Sequence, residues 1–574
     1  MPHGQHTPWE FLDDFRGKLF SGEWPTLPEL FEITTQRYPN RPAFTVYEPD
    51  RVSLTYQEAL DRIVQVAGFL HQQGVLHGDR VAVTGKNSPE WAIAYLAILY
   101  AGAIVVPIDY QLTDREVENL LRASDSKLLF VDEEKYEHFA EQKGEYNVPV
   151  QSLSPKKEGY IYNLSGSLDE KWQPARVDEL AAILFTSGTT GRPKGVMLTH
   201  KNFVADCLLA QYNLNIFHTD VFYALLPIHH SYCMLAVFIE SFSVGAETVF
   251  GKRLAITQVL SDLKEANVSM FLGVPMLFNK LINGIMHGIR EKGVLVYGII
   301  RGLMGISGTI KKLTGKNPGK KLFHSVLDKA SLASVRICIS GGGPLAPSVF
   351  RQYNQLGIDF VQGYGLTETA PILTLNPVEH YKEESVGRVL PEVDMQILEP
   401  DERGAGEIIV KGPMVMEGYY NMPEETAEVF TDNGYFRTGD VGFLDNENYL
   451  YITGRAKNLI VSEGGKNVYP EEIENEFQTY SEIEQIMVRG YEEDATSRAE
   501  KIEALIYPNE EFFKTAGNDG GPASEEDVTR RVNEIVSEVN QRLLPYQRIS
   551  KVTLLEEPLE MTTTKKIKRH AVDK

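Results

Sequence analysis

The chain has 574 residues, of which 57 are lysine or arginine and 79 are aspartate or glutamate, a formal net charge of −22. This acidic balance argues against a bulk nucleic-acid binder, because phosphate neutralisation needs the opposite sign. With 43% hydrophobic residues the composition is that of a globular protein. The three cysteines form no C-x-x-C pair, which argues against a disulfide framework or a structural zinc site. The first residues show no secretory signal, so we expect a cytoplasmic protein.

Apolar, β-branched runs alternate with helical patterns over most of the chain. The helical patterns include residues 56–73 and 348–356. The runs that predict buried strands are residues 80–83, 103–106, 127–131, 181–185 and 335–339. Strands that alternate with helices indicate an α/β fold with a large domain of mainly parallel sheets flanked by helices.

Residues 91–108 carry no charge and are long enough to be considered as a membrane span. Gly102 and Pro107 interrupt the run where a joint between a helix and a strand would place them. We therefore predict a buried helix over residues 91–101, a stop at Gly102 and a buried strand over residues 103–106.

A glycine- and hydroxyl-rich loop, Phe185-Thr-Ser-Gly-Thr-Thr-Gly-Arg-Pro-Lys-Gly195, follows the predicted strand 181–185. Backbone N–H groups, small hydroxyls and the charge of Lys194 suit polyphosphate oxygens. The alternative is a flexible surface turn. No G-K-S or G-K-T tripeptide occurs in the chain, which argues against a P-loop kinase or ATPase.

Residues 286–321 form a basic segment in an otherwise acidic chain. Eight basic residues stand against the single acid Glu291, a net charge of +7. The basic residues are Arg290, Lys292, Arg301, Lys311, Lys312, Lys316, Lys320 and Lys321. Because residues 294–300 and 303–306 are apolar, two interpretations stay open: contact with the anionic inner face of a membrane, or a solvated loop beside core helices.

The composition and the predicted elements of the sequence change after residue 454. Acidic residues dominate from 470 to 504, with predicted strands at 485–488 and 502–506. Ser524 is a candidate N-cap for a helix whose apolar residues keep helical spacing up to position 543. We predict a separate, small α+β domain at this end of the chain.

The loop and six further segments, in this order along the chain, resemble the motifs of the AMP-forming acyl-activating enzymes. This superfamily includes acyl-CoA synthetases, luciferases and peptide-synthetase adenylation domains. The further segments are Ser53-Leu-Thr-Tyr56, Ser340-Gly-Gly-Gly-Pro344, Gln362-Gly-Tyr-Gly-Leu-Thr-Glu368, Tyr435-Phe-Arg-Thr-Gly-Asp440, Gly454-Arg-Ala-Lys457 and Lys566-Ile-Lys-Arg569. The resemblance implies an adenylate-forming domain over residues 1–455 and a mobile C-terminal domain over residues 456–574.

The resemblance also implies an ATP site. The glycine turn at residues 341–343 and Tyr364 would enclose adenine, and Asp440, supported by Arg455, would accept the ribose hydroxyls. Taken alone, these features also fit an ordinary strand–helix turn and a surface ion pair. The residues implied in ATP or AMP binding are Thr186, Ser187, Gly188, Thr189, Thr190, Lys194, Gly341, Gly342, Gly343, Gln362, Gly363, Tyr364, Gly365, Asp440 and Arg455.

Three residues of the large domain are expected at the reacting groups. Magnesium prefers one or two carboxylates together with phosphate oxygens, and by resemblance Glu368 holds Mg²⁺ while Thr367 contacts phosphate. His230 takes the position of the family's histidine near the substrate carboxylate. We expect His230 to bind rather than to act as a base, since a carboxylate with a pKa of about 4–5 is already ionised at pH 7.

The C-terminal domain is expected to supply a second set of residues. Lys566 would stabilise the negative charge that develops as the adenylate forms, although a register shift to Lys565 stays open. Lys457 takes the position of the hinge between the domains. The loop that would line the CoA tunnel contains Gly464, Gly465 and Lys466.

These residues predict an AMP-forming fatty acid–CoA ligase that uses ATP, a fatty acid and CoA. The chain is most similar to long-chain fatty acid–CoA ligases, which also have an insertion near residues 286–321. One alternative passes the acyl group to an acyl carrier protein. A second alternative is a non-catalytic lipid- or membrane-binding protein.

Overall fold

The fold is described from a computed structural model. It covers residues 7–48, 50–141, 146–168, 172–186, 193–252, 255–462, 466–491, 500–514, 516, 521–561 and 567–569. Of the predicted site residues, seven lie outside this described part of the chain: Ser187, Gly188, Thr189, Thr190, Gly464, Gly465 and Lys566.

Two large sheets, flanked by helices, form most of the chain. In spatial order, the nine-stranded sheet contains Arg388–Val389, Ile372–Leu375, Asp359–Gly365, Ile337–Ser340, Met270–Gly273, Val221–Ala224, Glu247–Phe250, Pro42–Val46 and Val52–Thr55. The seven-stranded sheet contains Gly418–Tyr419, Lys194–Thr199, Leu180–Thr186, Ile104–Ile108, Arg80–Thr84, Ser126–Val131 and Val150–Ser152. Their inner strands pair in parallel and the outer strands at one or both edges are antiparallel. The predicted α/β fold is confirmed.

A four-stranded antiparallel sheet follows the two large ones. Its strands are Asp394–Leu398, Gly406–Lys411, Phe436–Leu444 and Leu450–Arg455. The last of these strands leads into a turn of 3-10 helix at Ala456–Asn458.

The helices cover the faces of the large sheets. Up to residue 430 they are Leu27–Arg37, Tyr56–Gln72, Pro89–Tyr100, Asp114–Ser124, Glu133–Ala140, His200–Ala210, Ser231–Cys233, Glu240–Val244, Ile256–Glu265, Pro275–Arg290, Val294–Thr314, Gly319–Leu322, His324–Lys329, Pro347–Leu356 and Pro423–Glu428. A π-helical stretch, Met234–Ile239, joins the two short helices on either side of it.

The motif Ser53-Leu-Thr-Tyr56 starts a helix. The Thr55 side chain accepts a hydrogen bond from the backbone N–H of Glu58, and the Glu58 carboxylate accepts from the backbone N–H of Thr55, so the two cap Tyr56–Gln72 reciprocally. Tyr56 is buried, and its hydroxyl donates to the carbonyl of Ala246 at 2.6 Å. The motif therefore anchors this helix to the loop that precedes strand Glu247–Phe250.

The apolar run at residues 91–108 belongs to the core. It forms most of helix Pro89–Tyr100 and all of strand Ile104–Ile108, with Gly102 between them at φ +75°. The predicted helix, stop and strand are confirmed. A different helix, Val294–Thr314, is the one in the described residues that is long and apolar enough to cross a membrane, with a mean hydropathy of 1.3.

The last part of the chain forms its own small core. A three-stranded sheet contains Ile483–Tyr491, Lys501–Pro508 and Lys551–Leu554, and a two-stranded sheet contains Ile460–Val461 and Asn467–Val468. Helices Pro470–Asn475, Glu510–Phe513 and Glu525–Arg542 accompany them. Ser524 caps the last helix by accepting from the N–H of Asp527, as predicted. The domain boundary between residues 455 and 456 stays a prediction.

The basic segment 286–321 is helical. Two of its lysines are not available to a membrane, because their amines bind other parts of the protein. Lys311 is 5% exposed, and its Nζ lies 2.6 Å from Oδ1 of Asp359. The Nζ of Lys320 donates to the carbonyl of Val335 at 2.9 Å. The local sequence could not reveal this, because both partners come from later in the chain.

Candidate active site

One corner of the site is built around the buried carboxylate of Asp440. Strand Phe436–Leu444 pairs with Leu450–Arg455 so that Asp440 lies opposite Arg455, and Arg455 Nε is 2.9 Å from Asp440 Oδ1. The Tyr364 hydroxyl donates to Asp440 Oδ2 at 2.8 Å. Burial, and then the nearby Asp440 charge, raise the pKa of Tyr364 far above its ordinary value, so the phenol stays protonated. The three predicted residues are brought together.

The glycine turn at residues 341–343 follows strand Ile337–Ser340, and its first two positions favour glycine for different reasons. A Cβ on Gly341 would lie 2.9 Å from the ring of Tyr232, and Gly342 has φ +78°. Tyr232 is itself held in place, because its hydroxyl donates to the carbonyl of Ile339 at 3.2 Å. The turn thus presents bare backbone, as a flat base requires.

The segment after the turn owes its glycines to the neighbouring strand. Gly363 and Gly365 belong to Asp359–Gly365, which pairs with the antiparallel strand Ile372–Leu375. A Cβ on Gly365 would lie 1.5 Å from the carbonyl oxygen of Pro371, and one on Gly363 would lie 3.1 Å from that of Thr374. Gln362 is buried in the same strand. These contacts explain the glycines by strand packing, whether or not a ligand also approaches them.

The carboxylate of Glu368 lies next to an aromatic ring and a lysine. The Tyr419 hydroxyl donates to Glu368 Oε1 at 3.0 Å, and Lys194 Nζ lies 4.6 Å from the centre of the Tyr419 ring. Burial and then the Glu368 charge raise the pKa of Tyr419, so its hydroxyl remains a donor. The sequence analysis missed Tyr419. The only local signal was its place in Gly418-Tyr-Tyr420, between the predicted motifs that end at Glu368 and at Asp440.

Thr367 and His230 are linked through a residue that the sequence analysis did not select. Ser231 Oγ lies 3.1 Å from Thr367 Oγ1, and His230 directly precedes Ser231 as the N-cap of Ser231–Cys233. The rings of His229 and His230 are 4.2 Å apart between centroids. Hydrogen bonding between Ser231 and Thr367 therefore fixes the histidine segment relative to the Glu368 segment.

His229 and Asp109 extend this polar cluster. His229 is buried, with Nε2 3.5 Å from Oδ1 of Asp109. One potential ligand atom from each of Asp109, His229 and His230 lies within 4.8 Å of the others. Asp109 directly follows the buried strand Ile104–Ile108, at the edge where the other site residues collect.

The structure describes the residues that flank the predicted phosphate loop and the predicted CoA loop. Thr186 and Lys194 face each other across paired strands, and the Thr186 hydroxyl donates to the Lys194 carbonyl at 3.5 Å, so the loop begins and ends at one point. Lys466 Nζ lies 3.8 Å from Glu402 Oε2. Lys457 is exposed in the turn Ala456–Asn458.

The small core formed by the chain after Lys457, here called the C-terminal unit, contacts the glycine turn. Gln478 Nε2 donates to the carbonyl of Pro344, directly after the glycine turn, at 3.1 Å. Tyr469 packs into a small apolar cluster with Ala405, Val441 and Leu459. The unit is therefore seated against the glycine turn and the four-stranded sheet in this structure.

Comparison with known proteins agrees with this geometry. Residues 31–420 match the model of the AMP-binding enzyme family. The chain is 29% identical over 524 residues to a long-chain-fatty-acid–CoA ligase of Bacillus subtilis (strain 168), covering 84% of this chain and 85% of that protein. It is 29% identical over 482 residues to a feruloyl-CoA synthase of an Amycolatopsis species, covering 82% and 85%.

A solved structure leads to the same family. ATP-bound MatB from Rhodopseudomonas palustris superposes with a TM-score of 0.73 at 26% identity, covering 96% of this chain and 98% of that one. The family match spans more than half of the chain. The chain therefore belongs to the AMP-binding enzyme family and is an AMP-forming acyl-CoA synthetase.

Proposed function

We propose that this enzyme is a fatty acid–CoA ligase that converts a long-chain fatty acid, ATP and CoA into acyl-CoA, AMP and pyrophosphate. One observation carries the proposal. Tyr364 and Glu368 lie four residues apart on one segment. Tyr364 donates a hydrogen bond to Asp440, and Glu368 accepts one from Tyr419, and both partners lie on other strands. These hydrogen bonds fix the distance between the residues assigned to the nucleoside, Tyr364 and Asp440, and the residue assigned to the phosphates, Glu368. The long-chain assignment is supported by the Bacillus relative.

ATP is assigned to both groups of residues. Adenine lies between the turn at residues 341–343 and Tyr364, and the ribose hydroxyls donate to Asp440, which Arg455 and Tyr364 already orient. The triphosphate is assigned to the loop at residues 186–194, with Thr367 and Lys194 beside it. MatB, a relative solved with ATP, supports the assignment of the nucleotide.

Glu368 fits a magnesium ion that accompanies ATP. Its Oε1 accepts from Tyr419, which orients the carboxylate and leaves Oε2 for a ligand. Magnesium is bound by few carboxylates and by phosphate oxygens, and in this role it would neutralise charge on the phosphates. Lys194, whose Nζ lies over the ring of Tyr419, adds a second positive charge.

The first half-reaction joins the fatty acid to AMP. The carboxylate oxygen attacks the α-phosphorus, the bond to the β-phosphate oxygen breaks, and pyrophosphate leaves. His230 binds the carboxylate, which needs no base because it is already ionised. Lys566 is assigned to the negative charge that develops at the α-phosphate, which is an electrostatic role.

The second half-reaction transfers the acyl group to CoA. The thiol sulfur of CoA attacks the acyl carbon, AMP leaves and the thiol proton goes to solvent. We assign Gly464, Gly465 and Lys466 to the CoA tunnel, and a rotation of residues 456–574 against residues 1–455 about Lys457. The cysteines need no part in this step, since CoA brings its own thiol. All three are buried.

The test is a panel of carboxylic acids from acetate to oleate, with the nucleotide product measured with and without CoA. The proposal expects AMP, with the highest kcat/KM for the long-chain acids and acyl-CoA formed only when CoA is present. ADP as the product would overturn it in favour of a kinase or ATPase. Faster transfer to a holo-acyl carrier protein than to CoA would favour the carrier-protein ligase, and no turnover with any acid would favour a lipid-binding protein.

A further inference from the structure

Helix Val294–Thr314 exposes a continuous apolar stripe. Leu295 is 84% exposed, Ile299 63%, Ile306 58% and Leu313 79%. Steps of four and seven residues between them bring all four side chains to one face of an α-helix. Between them, Gly302 would have nothing within 4 Å of an added Cβ, so no other part of the described chain covers this face.

The opposite face fixes the helix to the protein. Met304, Ser307 and Lys311 are buried, and a helical wheel places them about 180° from the apolar stripe. Lys311 Nζ lies 2.6 Å from Asp359 Oδ1 and also bonds the buried Asn354. Because the buried face is anchored by an ion pair, the stripe cannot turn inward to complete the core.

Charge distinguishes the possible partners. Residues 286–321, the segment that contains the stripe, carry six exposed basic side chains and the single acid Glu291, in a chain with a net charge of −22. The six are Arg290, Lys292, Arg301, Lys312, Lys316 and Lys321. Two copies of this surface placed stripe to stripe would bring like charges together. A surface with an apolar interior and anionic headgroups satisfies both the stripe and its basic surroundings.

We propose that the face of Val294–Thr314 that carries Leu295, Ile299, Ile306 and Leu313 docks on an anionic lipid bilayer. The helix, about 31 Å long at 1.5 Å per residue, lies along the membrane surface. Its apolar side chains enter the boundary between headgroups and acyl chains, and the basic side chains contact the headgroups. It does not cross the bilayer, since both its ends and its buried face are joined to the protein body. This inference does not rest on the proposed substrate.

The experiment is co-sedimentation of the full-length protein with phosphatidylcholine vesicles that contain or lack 30% phosphatidylglycerol. Two variants remove the two contributions separately: Leu295→Glu with Leu313→Glu, and Lys312→Gln with Lys316→Gln and Lys321→Gln. Matched controls make the same changes on other surfaces. They are Leu76→Glu with Leu544→Glu, at leucines that are 68% and 48% exposed, and Lys127→Gln with Lys156→Gln and Lys514→Gln.

The parent and the controls should sediment with the anionic vesicles and should stay in the supernatant when the vesicles are neutral. Each removed charge should lower the partition coefficient roughly fivefold at low salt, so the triple variant should bind on the order of 100-fold more weakly. The difference should shrink in 0.5 M salt because the charges are then screened. The leucine variant should lose binding while keeping the parent's rate of AMP formation in detergent-free solution.

Three results would overturn the proposal. The first is that the parent does not bind anionic vesicles. The second is that both variants bind as the parent does. The third is a parent that dimerises in light scattering through Leu295 and Leu313 without vesicle binding, which would assign the stripe to a second copy of the chain. None of these results bears on whether the protein forms AMP, so the enzyme assignment is tested separately.

Discussion

Removing the Tyr419 hydroxyl tests how the Glu368 carboxylate is held. In Tyr419→Phe the ring stays under Lys194, whose Nζ lies 4.6 Å from the ring centre, so the cation–π contact is kept. What is lost is the hydrogen bond from the hydroxyl to Glu368 Oε1, 3.0 Å long. The variant therefore changes the orientation of one carboxylate and leaves the charges of the site as they are.

The size of the effect follows from the kind of bond. A hydrogen bond to a charged group contributes about 1.5–3 kcal/mol, which corresponds to a loss of about 10- to 150-fold in rate if the bond orients the carboxylate throughout adenylation. The assay is fatty-acid-dependent exchange of pyrophosphate into ATP at a series of Mg²⁺ concentrations. Because Glu368 is assigned to the metal, we expect a lower kcat and a higher Mg²⁺ concentration at half-maximal rate, with little change in the KM for the fatty acid.

Tyr507→Phe is the matched control. The Tyr507 hydroxyl also donates to a carboxylate, Glu510 Oε1 at 2.8 Å, but outside the predicted site residues. It should keep the parent's rate and Mg²⁺ dependence. If Tyr419→Phe also keeps both, Tyr419 does not position a metal-binding carboxylate, and the assignment of Glu368 loses its structural support.

Three further outcomes are expected. Burial raises the pKa of Glu240, which accepts a hydrogen bond from Cys207, from 4.5 to about 8. Between these two pH values the folded state keeps a proton that the unfolded chain loses, so the free energy of unfolding should fall from about pH 4.5 to 8. Glu240→Gln cannot ionise, so its urea midpoint should match the parent's at pH 4 and exceed it at pH 8.5. Equal midpoints at both pH values would contradict the burial argument. Lys566→Ala should slow pyrophosphate exchange by the equivalent of about 3–4 kcal/mol in the transition state, yet still convert supplied acyl-AMP and CoA to acyl-CoA. If Lys565→Ala shows this defect and Lys566→Ala does not, the catalytic lysine of the motif is Lys565. Lys457→Pro should show the reverse pattern because proline fixes φ at the proposed hinge, and a folded variant that loses both half-reactions equally would argue against a domain rotation.

The fold could be predicted where local pattern and burial coincide. Inner parallel strands are buried on both faces, so strands such as Ile104–Ile108 and Leu180–Thr186 stand out as apolar runs closed by glycine-rich or polar loops. Short polar motifs could be placed for a related reason: they follow the ends of these strands. Helix N-caps such as Ser524 are local and were predicted correctly.

The pairings between distant residues could not be predicted. Nothing near Glu368 indicates that Tyr419, 51 residues later, will donate to it. The same holds for Lys311, whose ion pair with Asp359 removes it from the solvated charges although the local sequence is basic and exposed on either side. Long-range contacts depend on the packing of sheets and helices, and periodicity carries no information about them.

The position of Arg455 bears on how one site serves two half-reactions. Arg455 ends the strand Leu450–Arg455, and its partner Asp440 is only 5% exposed, so the pair belongs to the four-stranded sheet. A rotation of the C-terminal unit about Lys457, two residues later, would leave the contacts of Asp440 with Arg455 and Tyr364 intact. The same rotation would have to break the bond between Gln478 and the Pro344 carbonyl. The ribose would therefore stay bound while the groups around the phosphate change, which lets the acyl-adenylate remain in place until CoA attacks it.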